Sequence, residues 1–152
     1  MSDSGGSTAM ASLYQEVILE ASKRPRAKGL LDGPAASSHQ VNPTCGDEVT
    51  VQLHVDGDRV TALRWDGDGC AISRASASIL ADLAPGLAVA DLRDRIELFR
   101  TAMRSKGRIE PDEELLGDAV ALGGVSRYTA RVKCAMLAWV AAEDAMMRVP
   151  GT

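Results

Sequence analysis

The clearest secondary-structure pattern in the chain is EVTVQLHVDGDRVTALRW, residues 48–65. Its first half alternates apolar and polar residues, which is the pattern of a strand buried on one face. The apolar positions are Val49, Val51, Leu53 and Val55. The DGD that follows is a turn sequence, and RVTALRW returns as a second strand. We therefore predict an antiparallel β-hairpin over residues 48–65.

Helical patterns lie on both sides of this hairpin. Before it, apolar residues recur at helical spacing, and three segments after it also have the character of helices. The four predicted helices cover residues 11–23, 71–84, 89–105 and about 126–147. A helix, a small antiparallel sheet and several further helices make an α+β domain.

Two segments carry no such pattern. Residues 24–44 are rich in Pro, Gly and Ser, and we predict a loop there; a loop of that length inside a compact domain is often functional. Residues 107–124 contain the acidic stretch EPDEELLGD and a Gly-Gly break.

Composition limits the class of protein. The 152 residues are enough for one domain with a real core, and 45% apolar with 25% charged residues is ordinary for a globular chain. A net charge of -4 argues against nucleic-acid binding. No apolar run approaches the roughly 18 residues of a membrane span. Residues 1–10 have the character of a flexible tail without an export signal, so we expect a cytoplasmic protein.

The cysteines are Cys45, Cys70 and Cys134, an odd number at wide spacing that argues against a disulfide framework. Cys134 falls on an apolar helical stripe, where a free cysteine can be a small core residue. Cys70 falls at or just before a helix N-terminus, where the backbone favours a thiolate. The spacing leaves a structural and a functional interpretation open for both.

Cys45 has the strongest functional case, because it lies among turn formers in NPTCGDEV, residues 42–49. Gly46 permits a tight turn that can bring the sulfur of Cys45 and the carboxylate of Asp47 to one point. With Cys70 and Cys134 they could complete a tetrahedral zinc site, although the spacing is not that of a zinc finger. The histidines add less: His54 is expected on the polar face of a strand, and His39, in the predicted loop, has no assigned role.

Three segments, NPTCGDEV, GDGCAISRASAS and GVSRYTARVKCAMLAW, resemble in order and spacing the signatures of the SufU family, which is IscU-like and similar to NifU N-terminal domains. The resemblance implies an IscU-like single domain over residues 11–148, with a small three-stranded antiparallel sheet packed by helices. It also implies a SufU-type insertion at about residues 107–125. The activity implied is that of a zinc-dependent sulfurtransferase, which takes persulfide sulfur from a SufS-type cysteine desulfurase and serves downstream Suf scaffold components.

The same resemblance implies site residues. The zinc ligands of the family fall on Cys45, Asp47, Cys70 and Cys134, and its sulfur-accepting cysteine falls on Cys45. IscU-type scaffolds carry a histidine directly before the third cysteine, whereas this chain has Lys133 there. That departure favours sulfur transfer over a scaffold that assembles a [2Fe–2S] cluster on the same ligands. A non-catalytic zinc-stabilised module that binds a partner stays open as a further alternative.

Two cations flank the third cysteine. Zinc with three thiolates and one carboxylate carries a formal charge of -2, which a nearby cation would stabilise. Arg131 or Lys133 could supply that charge, or both could be solvated residues of the helix surface.

Overall fold

The computed structural model describes residues 14–44 and 46–149. In this part of the chain, helix α1 covers residues 14–23 and precedes three strands. The strands are β1 (Ala36–Asn42), β2 (Asp47–Asp56) and β3 (Arg59–Asp68). The remaining helices are α2 (Ala71–Leu83), α3 (Val89–Arg104), α4 (Glu113–Leu116), a 3-10 helix (Gly117–Arg127) and α5 (Thr129–Met147).

The three strands form one antiparallel sheet in the order β1-β2-β3. The predicted hairpin is confirmed, and Val51 of β2 pairs with Trp65 of β3 in its register. A bulge between His54 and Val55 shifts the register near the turn. The α+β fold with a small three-stranded antiparallel sheet is therefore confirmed.

The prediction of a loop over residues 24–44 is wrong for Ala36–Asn42, which form β1. The inward-facing residues of this strand are small or polar, so the strand lacks an alternating hydrophobic pattern. Ser38, for example, is buried and its Oγ donates a hydrogen bond to Asp144 Oδ2 over 2.7 Å. His39, predicted in the loop, is an exposed residue of this strand.

Helix α5 contacts β1 and β2 of the sheet as well as helices α2 and α3, and α2 also contacts β3. At the centre of this contact, Phe99 of α3 stacks on Trp139 of α5, with ring centroids 3.9 Å apart and planes inclined by 14°. Stacked aromatic pairs of this kind stabilise a core beyond the area that they bury. Helix α5 is therefore packed between the sheet and helices α2 and α3.

The last helix begins later than the predicted Ser126, because residues up to Arg127 belong to the 3-10 helix. The Ser126 Oγ donates to the Gly123 carbonyl oxygen three residues earlier over 2.8 Å, which fits the tighter 3-10 turn. Glycines at 117, 123 and 124 also lower the α-helical propensity here. Residues 107–125 contain α4 and most of this 3-10 helix; their status as an insertion stays a prediction, as do the domain limits 11–148.

The predicted tail, residues 1–10, lies outside the described residues. Among the helices of the described part, none combines the length and the apolar character that a membrane crossing requires.

Candidate metal centre

Asp47 is a carboxylate that strand alternation buries. It is the first residue of β2 and shares the inward-facing positions of that strand with Val49 and Val51, so only 2% of it is exposed. Its two oxygens have separate partners: the Cys70 backbone N–H donates to Oδ1 over 3.0 Å, and the Ser73 hydroxyl donates to Oδ2 over 2.8 Å. Buried charge requires such partners, and here they set the orientation of the carboxylate.

Cys70 is the N-cap residue of α2, which confirms its predicted place at the helix N-terminus. Its side chain makes no capping hydrogen bond. Instead the Sγ lies 3.9 Å from Asp47 Oδ2 and 3.7 Å from the Ser73 hydroxyl oxygen. The half-buried sulfur is therefore partly open to solvent and partly in contact with the Asp47 carboxylate.

Cys134 approaches from the opposite element, α5. It is 2% exposed, and its Sγ lies 4.0 Å from the carbonyl oxygen of Ala130. Its own backbone carbonyl accepts a hydrogen bond from the Ser73 hydroxyl over 3.2 Å. Ala130 itself lies in the first turn of the helix and is exposed.

The fold brings Asp47, Cys70 and Cys134 together: one carboxylate oxygen and the two sulfurs all lie within 4.8 Å of one another. Ligands of a tetrahedral zinc ion are roughly 3.5–3.8 Å apart, so side-chain movements of about 1 Å would bring all three onto one ion. Thiolate and carboxylate are accepted zinc ligands, and the donor set therefore fits zinc.

The close approach of Asp47 to α2 depends on Gly69. A Cβ at this position would lie 2.9 Å from Asp47 Oδ1 and 3.0 Å from the Ser73 Cβ. Both distances are shorter than carbon normally allows, so a larger residue would displace the carboxylate. A glycine is therefore needed at position 69, because the Asp47 carboxylate occupies the space that a Cβ would take.

The surroundings of Cys70 lower the pKa of its thiol. Burial, the largest single influence, raises the pKa of the thiol, and the nearby Asp47 carboxylate raises it too. Hydrogen bonds from the backbone and hydroxyl of Ser73, and from Cys134, outweigh both and bring the pKa below its ordinary value. Deprotonated sulfur is the form that binds metal.

Cys45, the fourth predicted ligand, lies outside the described residues. Its chain neighbours form a defined turn: the Gly46 N–H donates to the Asn42 carbonyl oxygen over 2.9 Å, and the Thr44 N–H donates to Asn42 Oδ1 over 3.3 Å. Gly46 has φ of +74°, a conformation that glycine adopts without strain. Whether Cys45 is a ligand stays a prediction.

Residues 13–146 match the family model described as the NifU-like N terminal domain. The chain belongs to this NifU-like family. The SufU-type resemblance seen in the sequence falls within it.

Curated relatives of this NifU-like domain carry two kinds of name. The zinc-dependent sulfurtransferase SufU of Bacillus subtilis (strain 168) is 38% identical over 140 residues, which cover 91% of this chain and 92% of the relative. The iron–sulfur cluster assembly scaffold protein IscU of Streptococcus pyogenes serotype M1 is 35% identical over 136 residues, which cover 90% of this chain and 84% of the relative.

Solved structures agree with the fold. A Fervidobacterium islandicum AW-1 protein, described as an iron–sulfur cluster assembly scaffold for the SUF system, superposes with a TM-score of 0.80 at 30% identity, covering 86% of this chain and 94% of that one. The N-terminal part of a nitrogen-fixing NifU-like protein from Brucella abortus gives a TM-score of 0.80 at 26% identity. The match covers 90% of this chain and 93% of that one.

Sequence reasoning missed Ser73, which the NifU-like fold places against all three donor residues. A signal was present, since Ser73 follows Cys70 by three residues and so lies on the first turn of α2.

The two histidines have polar partners outside the group of Asp47, Cys70 and Cys134. His39 Nε2 is 3.5 Å from Glu48, and His54 Nε2 is 3.3 Å from the Gln52 side-chain oxygen.

The two cations beside the third cysteine, Arg131 and Lys133, are both exposed. Among the residues that the structure describes, neither forms an ion pair with Asp47. Their role in screening the charge of a metal site stays a prediction.

Proposed function

We propose that this chain is a zinc-dependent sulfurtransferase of iron–sulfur cluster assembly, which accepts persulfide sulfur from a SufS-type cysteine desulfurase. The observation that carries the proposal is the convergence of Asp47, Cys70 and Cys134 from three separate elements to within 4.8 Å. Relatives named for iron–sulfur cluster assembly support the general role, and the SufU relative supports zinc and sulfur transfer.

Four residues would hold the zinc: Cys45, Asp47, Cys70 and Cys134. When bound, zinc keeps cysteine sulfur deprotonated at neutral pH and adds its binding energy to folding. The Asp47 carboxylate contributes the one oxygen donor and is held by hydrogen bonds from α2 at both oxygens. Zinc held by Cys70 and Cys134 would connect the N-terminus of α2 to the second turn of α5.

Cys45 is the proposed sulfur acceptor. A partner's persulfide must reach the attacking sulfur, and Cys134, 2% exposed, is poorly placed for that role. The Cys45 thiolate attacks the terminal sulfur of the desulfurase persulfide. The S–S bond of that persulfide breaks, a new S–S bond forms on Cys45, and the desulfurase cysteine leaves as a thiolate with the electron pair. Oxidation states balance, so the transfer needs no separate oxidant.

Partners and compartment follow from this chemistry. The donor is a SufS-type cysteine desulfurase, and the sulfur passes on to downstream Suf scaffold components. Zinc ligation requires Cys70 and Cys134 to stay reduced, because the thiolate is the form of cysteine that binds metal. Thiols that must stay reduced fit a reducing compartment, and we place the activity in the cytoplasm.

The proposal is tested by metal analysis together with a desulfurase assay. We expect about one zinc ion per chain and a faster turnover of cysteine by a SufS-type desulfurase when the protein is added. Cys45→Ala should abolish the stimulation. Thr44→Ala is the matched control, because it alters the adjacent exposed side chain and leaves the backbone N–H in place. Equal stimulation by wild type and Cys45→Ala would refute the assigned acceptor.

A second function, assembly of a [2Fe–2S] cluster on the same residues, is favoured by the scaffold names of the Streptococcus pyogenes and Thermotoga maritima relatives. Lys133 argues against it, because IscU-type scaffolds carry a histidine at this position, directly before the third cysteine. Anaerobic purification separates the two. Sulfide-to-iron charge-transfer absorption with little zinc would favour the scaffold, and a colourless protein with stoichiometric zinc would favour sulfur transfer.

A further inference from the structure

One hydroxyl group contacts every described residue of the metal centre. The Ser73 Oγ lies 2.8 Å from Asp47 Oδ2, 3.2 Å from the Cys134 carbonyl oxygen and 3.7 Å from the Cys70 Sγ. Asp47, Cys70 and Cys134 belong to or border three different elements, β2, α2 and α5. Ser73, itself in α2, therefore contacts residues of both other elements through one hydroxyl group.

We propose that Ser73 is a positioning residue that holds the Asp47 carboxylate in the orientation that metal binding requires. The inference rests on the metal site proposed above. The Cys70 N–H holds one oxygen and the Ser73 hydroxyl holds the other. A carboxylate has about four lone-pair sites, so both hydrogen bonds leave room for a metal bond. Without the hydroxyl, one oxygen of a buried carboxylate loses its donor, and the group can rotate.

The Cys134 carbonyl gives the hydroxyl a second acceptor. A serine hydroxyl has one proton, so Ser73 donates to Asp47, to Cys134 or to the Cys70 sulfur at any moment. The charged oxygen is nearer and is the stronger acceptor. When the Asp47 oxygen takes another partner, the hydroxyl can turn to the Cys134 carbonyl and remain hydrogen-bonded. Ser73 thereby lets Asp47 change partners without leaving a buried donor unpaired.

The chain contains a matched control one turn further along α2. Ser76 donates to the carbonyl oxygen of Ala135, the residue after Cys134, over 2.5 Å, and accepts from Trp139 Nε1 over 2.8 Å. It thus joins α2 to α5 as Ser73 does. Within the described part of the chain Asp47 is not among its hydrogen-bond partners, so Ser76→Ala reports the loss of helix–helix bonding alone.

The test is a zinc competition titration against a chromophoric chelator. Ser73→Ala should bind zinc about tenfold more weakly than wild type, in the range known for residues that orient metal ligands. Ser76→Ala should lower the melting temperature and leave zinc affinity unchanged. Ser73→Ala is expected to fold, since the position is half-buried in a helix and alanine is a good helix former. Ser73→Thr, which keeps the hydroxyl, should restore the affinity.

Cobalt substitution adds a readout of the ligand itself. The d–d bands of the Co²⁺ protein should shift in Ser73→Ala towards those of Asp47→Ala and stay at wild-type positions in Ser76→Ala. In an Asp47→Ala background, Ser73→Ala should cause no further loss of zinc affinity, because the hydroxyl acts through the carboxylate.

Two failures are distinguishable. If Asp47→Ala weakens zinc binding and Ser73→Ala does not, the positioning role is wrong while the metal site stands. If neither substitution changes zinc affinity, or if wild type binds no zinc, the proposed site and the inference both fail. An additive loss in the double variant would also overturn the inference, because Ser73 would then act independently of Asp47.

Discussion

The backbone N–H of Cys70 donates a hydrogen bond to Asp47 Oδ1 over 3.0 Å, which ties the first residue of β2 to the N-cap of α2. Two proposed ligands, 23 residues apart in the chain, are thus connected by protein atoms alone. Ser73 reinforces the connection from the next turn. The site is therefore organised by the fold before a metal adds its own binding energy.

The first prediction concerns zinc and stability. Cys70→Ser and Cys134→Ser should lose most of the stabilisation that zinc gives to wild type, since a ligand that binds only the folded state stabilises it by mass action. We expect zinc to raise the melting temperature of wild type by roughly 5–15 °C for a domain of this size. Scanning calorimetry with zinc and with chelator measures the difference. The same zinc-dependent rise in both variants would mean that these cysteines are not ligands.

The second prediction concerns Gly69, where an added Cβ would meet Asp47 Oδ1 at 2.9 Å. Gly69→Ala should destabilise the protein by about 1–3 kcal/mol, as overpacking does, and should also weaken zinc binding. Gly124→Ala is the matched control, since nothing lies within 4 Å of its Cβ position, and its effect should stay within about 0.5 kcal/mol. Urea denaturation of both variants is the measurement; equal stability would show that the carboxylate adapts freely.

The third prediction concerns the support of α5. Arg100 on α3 donates to both oxygens of Glu143 on α5, over 3.0 and 2.6 Å, and its side chain is only 13% exposed. Hydrogen bonding to Glu143 raises the pKa of the guanidinium, which stays charged. Arg100→Ala should cost about 2 kcal/mol, in the range for hydrogen bonds to charged groups.

The control for this pair is Arg24→Ala. Arg24 lies 3.5 Å from Glu20 and its side chain is 82% exposed, so this ion pair should contribute little. A chemical denaturation series should rank Arg100→Ala well below Arg24→Ala in stability. Similar stabilities would show that the Arg100–Glu143 pair does not hold α3 against α5.

Much of this site could be predicted from sequence. The hairpin was predicted from Glu48 onwards, whereas β2 begins one residue earlier, so the inward-facing and buried position of Asp47 was not foreseen. A Gly-Asp turn before a helical segment placed Cys70 at a helix N-terminus, and an apolar stripe placed Cys134 in a buried position. Each of these followed from local periodicity, which is where sequence patterns are most informative.

Contacts between distant residues could not be predicted in this way. Strand β1 was missed because its inward-facing residues, such as Ser38, are satisfied by hydrogen bonds and not by apolar packing. Ser73 was missed because its hydroxyl matters only once β2 and α5 are brought beside α2. The convergence of the donors came from the family resemblance, since their spacing matches no short metal motif.

The central claim, that Cys45 accepts sulfur in this NifU-like domain, is tested most directly by mapping persulfide with mass spectrometry. The zinc-loaded chain is incubated with a SufS-type desulfurase and cysteine, alkylated, digested and sequenced, with Cys45→Ala treated in parallel. The predicted result is added sulfur on Cys45 in wild type and none in the variant. Added sulfur on Cys70 or Cys134, with undiminished uptake by Cys45→Ala, would contradict it.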